Sequence, residues 1–249
     1  MDSTSTVQNW RAVRRVAVEG NIGSGKSTLL RLLKERSGDC LTVDIVPEPL
    51  SEWLGSDSTA STGKENLLEM FYENPTRWAY TFQNYACLSR VRAQIEAPTS
   101  HLEGQLNPAL LFERSIYSDR VCFGLNSYQA GFLSDMEWRL YCDWLTFITE
   151  KLPGLKLDGI IYLRTDPKVC FSRLRQRSRP EERAIELSYL QSLHEKHENW
   201  LASTENDPFV PQAFKRFPVI VLDGNEDFEH LPEKQEEILM TLLKFLSKS

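Results

Sequence analysis

No stretch of this 249-residue chain carries the ~20 consecutive apolar residues that a membrane-spanning helix requires, so no membrane partner is expected. Cysteine is sparse as well. The five, at positions 40, 87, 122, 142 and 170, form no CxxC pair and no Cys/His cluster at metal-ligand spacing, which argues against a zinc module or a disulfide framework. They read as reduced thiols of a cytoplasmic protein, with the nucleus as the alternative compartment. Positive charge is in deficit: 29 Lys and Arg face 35 Asp and Glu, a net charge of −6. A nucleic-acid polymer is therefore not the expected partner, and any polyanion gripped by local basic patches should be small. Neither an internal repeat nor a long linker divides the chain. Residues 13–249 read as a single domain after a flexible N-terminal segment, residues 1–12. Met1 to Trp10 is polar and leaves little room for a targeting peptide.

What the chain does hold is a glycine-rich turn between an apolar strand pattern and a leucine-rich helix pattern. Gly20-x-x-x-x-Gly25-Lys26-Ser27 has the spacing of a phosphate-binding loop, with Val16 and Val18 before it and Leu29, Leu30, Leu32 and Leu33 after it. Glycines at 20, 23 and 25 let backbone N–H groups turn inward onto phosphate oxygens at the positive end of the following helix. In such a loop Lys26 reaches the β- and γ-phosphates and the Ser27 hydroxyl ligates Mg²⁺.

Further strands are predicted over Cys40–Val46, Pro108–Glu113, Leu157–Leu163 and Pro218–Leu222. The helices alternate with them: Glu65–Tyr72 and Pro75–Ala97 with a kink at Asn74, Ile116 to about Gly131, Asp135–Glu150, one after Pro167, Ser188–Leu201 and Glu233–Leu246. Ser51 to Lys64 reads as an exposed loop. Alternation of this kind implies an α/β fold, a five-stranded parallel sheet with helices on both faces. Charge gathers just past the strand ends: Glu48 between Pro47 and Pro49, Glu113 with Arg114, and a helix bearing Arg173, Arg175, Arg177 and Arg179. In a parallel sheet that edge is where ligands bind. Helical spacing puts Arg173 and Arg177 on one face and Arg175 and Arg179 on the other, toward water, unless Pro180 turns Arg179 inward. Phosphate clamps, Mg²⁺ and a carboxylate for the acceptor's proton are the parts phosphoryl transfer needs. Taken alone, each also fits a blander role: a solvated basic helix, a turn carboxylate at Glu48, solvated polar groups at Gln83, Arg90 and Asp119, core aromatics at Trp53, Phe82 and Phe123.

The motifs as a set resemble the eukaryotic-type deoxyribonucleoside kinase family, nearest its deoxycytidine kinase branch, from about residue 13 to 247. They are Glu19-Gly-Asn-Ile-Gly-Ser-Gly-Lys-Ser, Pro47-Glu-Pro with Trp53, Tyr72 before Asn74-Pro75-x-x-Trp78, and Phe82-Gln-Asn-Tyr-Ala-Cys-Leu-Ser-Arg90. Beyond these come Phe112-Glu-Arg-Ser-Ile-Tyr-Ser-Asp-Arg120, Asp158-Gly-Ile-Ile-Tyr-Leu, Tyr189-Leu-x-x-Leu-His-x-x-His-Glu198 and Leu222-Asp-x-Asn-Glu-Asp-Phe228. The resemblance implies a phosphate-loop kinase fold with an arginine lid that phosphorylates the 5′-hydroxyl of deoxyribonucleosides in nucleotide salvage, with ATP or UTP as donor and Mg²⁺.

By the same resemblance Glu48 is the base, Arg114 holds it and stabilises the transferred phosphoryl, and Glu113 helps Ser27 place Mg²⁺; Glu113 is the alternative base. The donor site comprises Gly20, Asn21, Ile22, Gly23, Ser24, Gly25, Lys26, Ser27 and Thr28, the lid residues Arg173, Arg177 and Arg179, and Glu226, Asp227 and Phe228 beside the base. For the acceptor, Tyr72 and Glu182 bind the 3′-hydroxyl and Gln83 reads the base edge. Phe82 and Phe123 supply stacking walls and Trp53 closes the pocket. Ala86, Arg90 and Asp119 set specificity: an Arg–Asp pair crowds a thymine methyl, so deoxycytidine, deoxyadenosine and deoxyguanosine are expected substrates and thymidine a poor one. Phe71 stands where relatives commonly carry Met, and the loop ahead of Tyr72 is shorter than in deoxycytidine kinases. Homodimerisation through the segments near 78–97 and 135–150 is implied. The competing readings are a broad kinase that also accepts thymidine, a nucleoside monophosphate kinase, and a non-catalytic nucleotide-binding subunit of the same fold.

Overall fold

A computed structural model describes residues 13–36, 41–56 and 64–247. The N-terminal segment, Cys40 and residues 57–63 of the expected Ser51–Lys64 loop lie outside the described residues. In chain order the elements are β1 (Arg14–Glu19), α1 (Lys26–Glu35), β2 (Thr42–Val46), α2 (Leu50–Trp53), α3 (Leu67–Glu73), α4 (Pro75–Glu96), β3 (Pro108–Glu113), α5 (Ile116–Ser118) and α6 (Leu125–Gln129). They continue with α7 (Asp135–Lys151), β4 (Gly159–Arg164), α8 (Pro167–Arg177), α9 (Leu187–Leu201), β5 (Val219–Asp223) and α10 (Pro232–Ser247).

The strands pair in parallel in the order β2-β3-β1-β4-β5. Side chains alternate across a strand, so Val16 and Val18 face one way and Ala17 the other, and both faces are covered. On one face Val16, Val18, Leu111 and Ile161 pack under Leu29, Leu33 and Leu242 from α1 and α10. On the other, Ala17, Phe112, Ile160 and Tyr162 pack under Tyr141, Leu145 and Trp200 from α7 and α9. Because β1 is central and its successors lie on opposite sides, the crevice opens at its carboxyl end. The glycine turn follows β1, Glu48 follows β2, Glu113 ends β3 and the arginine helix follows β4, so a single edge collects them.

Three local features depart from the expected pattern. Leu50–Trp53 forms a helical turn, not exposed loop, because Trp53 buries itself against Phe82 and donates from Nε1 to Ser89 Oγ at 2.8 Å. The expected helix from Ile116 to Gly131 is interrupted by a π-helical stretch, Asp119–Gly124. A Cβ on Gly124 would lie 2.6 Å from the Tyr141 ring and 3.0 Å from the Asp119 carbonyl, so only glycine lets α7 approach this closely. Asn74 is more than a kink: its backbone leaves the helical region, and its side chain caps α4 by accepting from Arg77 N at 3.2 Å.

Candidate active site

One cleft of about 680 Å³ opens at this edge. Its floor is the glycine turn, where Gly23 has φ of 76° and Gly25 has φ of 100°. A side chain on Gly23 would collide with the Cys170 carbonyl at 2.5 Å. Ile22, Gly23, Gly25, Lys26, Ser27 and Thr28 line the cleft, whereas Gly20, Asn21 and Ser24 support it from below. Asn21 fastens the turn to α9 by donating from Nδ2 to the Leu190 carbonyl at 2.8 Å. Lys26 folds back onto its own loop, its Nζ donating to the carbonyl oxygens of Asn21 at 2.7 Å and Gly20 at 3.3 Å. Burial, reinforced by the charge of Arg114, brings the Lys26 ammonium down to about 7. Ser27 Oγ donates to Glu113 Oε1 at 2.7 Å, which brings two side-chain oxygens together beside the loop.

Glu48 stands across from the loop, held by two cations. Arg90 Nη2 donates to Glu48 Oε1 at 2.9 Å, and Arg114 Nε lies 3.3 Å from the same oxygen. Burial works to raise the Glu48 carboxyl, but the charges of Arg90, Arg114 and Lys26 outweigh it and hold it below the ordinary value. Arg114 has φ of 66°, a strained conformation for a branched-free but non-glycine residue. Its Nη1 donates to the Gly20 carbonyl at 2.6 Å, and its guanidinium lies 4.6 Å from the centre of the Phe123 ring.

Arg90 is the residue whose reach the sequence understated. Besides Glu48 it donates from Nε to Asp119 Oδ2 at 2.9 Å and from Nη1 to the Glu113 carbonyl at 2.8 Å. The expected Arg90–Asp119 pair is therefore present, and it also supports Glu48. Burial lifts the Asp119 carboxyl against the pull of Arg90. The π-helical stretch carries both Asp119 and Phe123 toward the cleft, a frequent placement for π-bulges.

The other residues expected at the acceptor, Trp53, Tyr72, Phe82, Gln83, Ala86 and Glu182, line the same cleft. Phe71 stacks on Phe82, with ring centres 4.8 Å apart and planes 9° from parallel. Gln83 Nε2 donates to Ser127 Oγ at 3.4 Å. Arg173, Arg177, Arg179, Glu226, Asp227 and Phe228, the residues expected at the donor, also line the cleft, with Phe228 buried beneath Gly25. Helix α8 ends at Arg177 because Ser178 turns left-handed at φ 53°, so Arg179 leaves the helical register and faces inward. Arg175 is exposed, as its helical spacing implies, but it is not merely solvated. Its Nη1 and Nη2 donate to the carbonyl oxygens of Arg183 at 2.9 Å and Ile185 at 2.8 Å, tying the 3₁₀ turn Pro180–Ala184 to α8.

Sequence reasoning gave no functional part to Leu50, Leu68, Gln176, Tyr189 or His230, which also line the cleft, nor to Glu19 beneath it. Glu19 is wholly buried, accepts from Ser115 Oγ at 2.5 Å, and is pushed up to about 7 by that burial. Its place at the end of β1, one residue before the glycine turn, was the available signal.

A parallel sheet whose carboxyl edge presents a phosphate loop, a lysine, a lid of arginines and a clamped carboxylate defines a phosphate-loop phosphotransferase. The profile of the family described as deoxynucleoside kinase matches residues 16–247. The chain is 43% identical over 248 residues to deoxycytidine kinase 2 of Gallus gallus, covering 95% of this chain and 92% of that one. It is 41% identical over 245 residues to deoxycytidine kinase of Homo sapiens, covering 92% of each. To the mitochondrial deoxyguanosine kinase of Xenopus laevis it is 39% identical over 234 residues, covering 91% of this chain and 87% of the other. The chain belongs to the deoxynucleoside kinase family. It is an enzyme that transfers a phosphoryl group from a nucleotide donor to a deoxynucleoside in salvage.

Proposed function

We propose that this enzyme phosphorylates the 5′-hydroxyl of deoxycytidine, deoxyadenosine and deoxyguanosine, takes thymidine poorly, uses ATP or UTP with Mg²⁺, and works as a homodimer. The single observation that carries the chemistry is the position of Glu48, a buried carboxylate between Arg90 and Arg114 across from the glycine turn. Kept ionised by those cations, it is ready to take the hydroxyl proton. An ionised carboxylate can accept the proton that the hydroxyl sheds as the phosphoryl group transfers, the part an Asp plays in the catalytic loop of protein kinases. Arg114 lies between Glu48 and the glycine turn, where it meets the charge that develops on the transferred group. Glu113 already accepts from Ser27, so we assign it to metal placement and not to proton transfer.

Ser27 and Glu113 suit Mg²⁺, which binds few protein oxygens and takes the rest from water and phosphates. Bound there, it would neutralise charge on the phosphate oxygens. Tyr72 and Glu182 serve the 3′-hydroxyl and Gln83 the base edge, between Phe82 and Phe123. The Arg90–Asp119 pair, with both side chains almost wholly buried, resists the displacement that a thymine methyl would demand. A second copy is favoured by the apolar faces left exposed on α4, at Leu88 and Ile95, and on α7, at Met136, Leu140 and Phe147. Residues 13–249 form the kinase domain in this reading, after the short N-terminal segment. The described cysteines are free thiols, which supports a reducing compartment, cytoplasmic or nuclear. Turnover measured side by side on the four natural deoxynucleosides tests the proposal. Thymidine turnover equal to that of deoxycytidine refutes the specificity, and no turnover on any of them refutes the mechanism.

A further inference from the structure

The lid and the acceptor pocket share one carboxylate. Glu182 is buried, and both its oxygens accept from Arg177 Nη2, at 2.5 and 2.7 Å. Arg179 Nη1 stands 3.7 Å from Glu182 Oε1. Arg177 and Arg179 are partly exposed, with 35% and 40% of their side chains open to solvent, so their ordering depends on this anchor. The turn carrying Glu182 is itself fastened on two sides. Arg175 ties it to α8, and Asn66 at the start of α3 donates from Nδ2 to Glu181 Oε1 at 3.4 Å. Helix α3 is the element that carries Tyr72 into the cleft.

We propose that Glu182 couples the two substrates: the acceptor's 3′-hydroxyl, by fixing this carboxylate, orders Arg177 and Arg179 for the donor's phosphates. The inference rests on the assignment of Tyr72 and Glu182 to the 3′-hydroxyl. The geometry permits both contacts at once. A carboxylate has about four lone-pair sites, and Arg177 occupies one on each oxygen. The bonds to Glu182 use Nη2 alone, leaving the other N–H groups of the guanidinium for phosphate oxygens. A hydroxyl donated to Glu182 therefore adds to the network without displacing Arg177. Donor binding then finds its arginines already placed and loses less side-chain freedom, which tightens it. By linkage, the donor must tighten the acceptor by the same factor.

The test is an equilibrium titration of the whole enzyme with a non-hydrolysable ATP analogue and Mg²⁺, at saturating 2′-deoxycytidine or 2′,3′-dideoxycytidine. The analogue's Kd should be about fivefold or more lower with the 2′-deoxynucleoside, the low end of ordinary coupling between sites. In Glu182→Gln the analogue should bind equally with either acceptor, because the charge that orients Arg177 is gone. A dideoxynucleoside that binds more weakly while leaving the analogue's Kd unchanged overturns the coupling and spares the 3′-hydroxyl assignment. Equal affinity of the two acceptors without donor overturns that assignment and the coupling with it. Persistence of the acceptor effect in Glu182→Gln assigns it to another residue and refutes the proposal.

Discussion

Replacing Glu48 by Gln tests the base directly, because the amide keeps the shape of the side chain and loses its charge and basicity. In the cleft the carboxylate holds two guanidinium groups through Oε1, from Arg90 at 2.9 Å and Arg114 at 3.3 Å. A glutamine carbonyl can accept from both, so the arginines keep a partner and the pocket keeps its geometry. What disappears is the proposed proton acceptor, and general-base catalysis typically contributes about 10²- to 10⁴-fold. That range corresponds to ~2.7–5.4 kcal/mol of transition-state stabilisation. The expected result is a fall of that size in kcat and kcat/KM alike, with deoxynucleoside affinity within about threefold of the parent enzyme. Affinity can be read from quenching of Trp53, which lines the pocket. Single-turnover measurement then locates the loss in the chemical step. The charges that hold Glu48 below its ordinary value of 4.5 also keep it ionised throughout the neutral range. Turnover of the parent enzyme should thus show no acidic limb from this group above that value. Glu113→Gln should behave differently, raising the Mg²⁺ concentration needed for half-maximal rate. Turnover of Glu48→Gln within threefold of the parent would place the base elsewhere and refute the reasoning.

The Lys26 ammonium, brought down to about 7 by burial and the charge of Arg114, is mostly neutral at pH 8, and donor phosphates draw its proton back. Calorimetry at pH 8 in buffers of differing ionisation heat should show uptake approaching one proton per donor bound, and no uptake would contradict this. Gly124→Ala should act on the site from behind, since its Cβ would meet Tyr141 at 2.6 Å and push on the turn that carries Asp119 and Phe123. A loss of about 1–3 kcal/mol in chemical denaturation, with a raised KM for the nucleoside, is expected; unchanged stability would show that the π turn absorbs the methyl. Exchanging Arg90 and Asp119 together for apolar residues should raise the ratio of thymidine to deoxycytidine kcat/KM at least about tenfold, on the scale of one specific pocket contact. Overall turnover should fall at the same time, because Arg90 also holds Glu48. An unchanged ratio places the discrimination at another wall.

Much of this protein was determined along the chain itself, because its signals are short in range. The glycine turn, Lys26 and Ser27 sit within eight residues from Gly20 to Ser27, and backbone sterics impose that spacing on any phosphate loop. Alternating apolar periods marked the strands and helices, and strand ends marked the edge where charge would gather. Tertiary structure alone decided how that charge was shared. Arg90 reaches Glu48 across 42 positions and Asp119 across 29, distances that no local spacing encodes. The π turn depends on Gly124 meeting Tyr141 from another helix, and the inward Arg179 depends on the left-handed Ser178. Arg175 stays exposed, yet the fold brings the carbonyl oxygens of Arg183 and Ile185 within its reach, which no local spacing encodes. A side chain's type limits which bonds it can make, but its partners are chosen by the packing of segments remote from it in the chain.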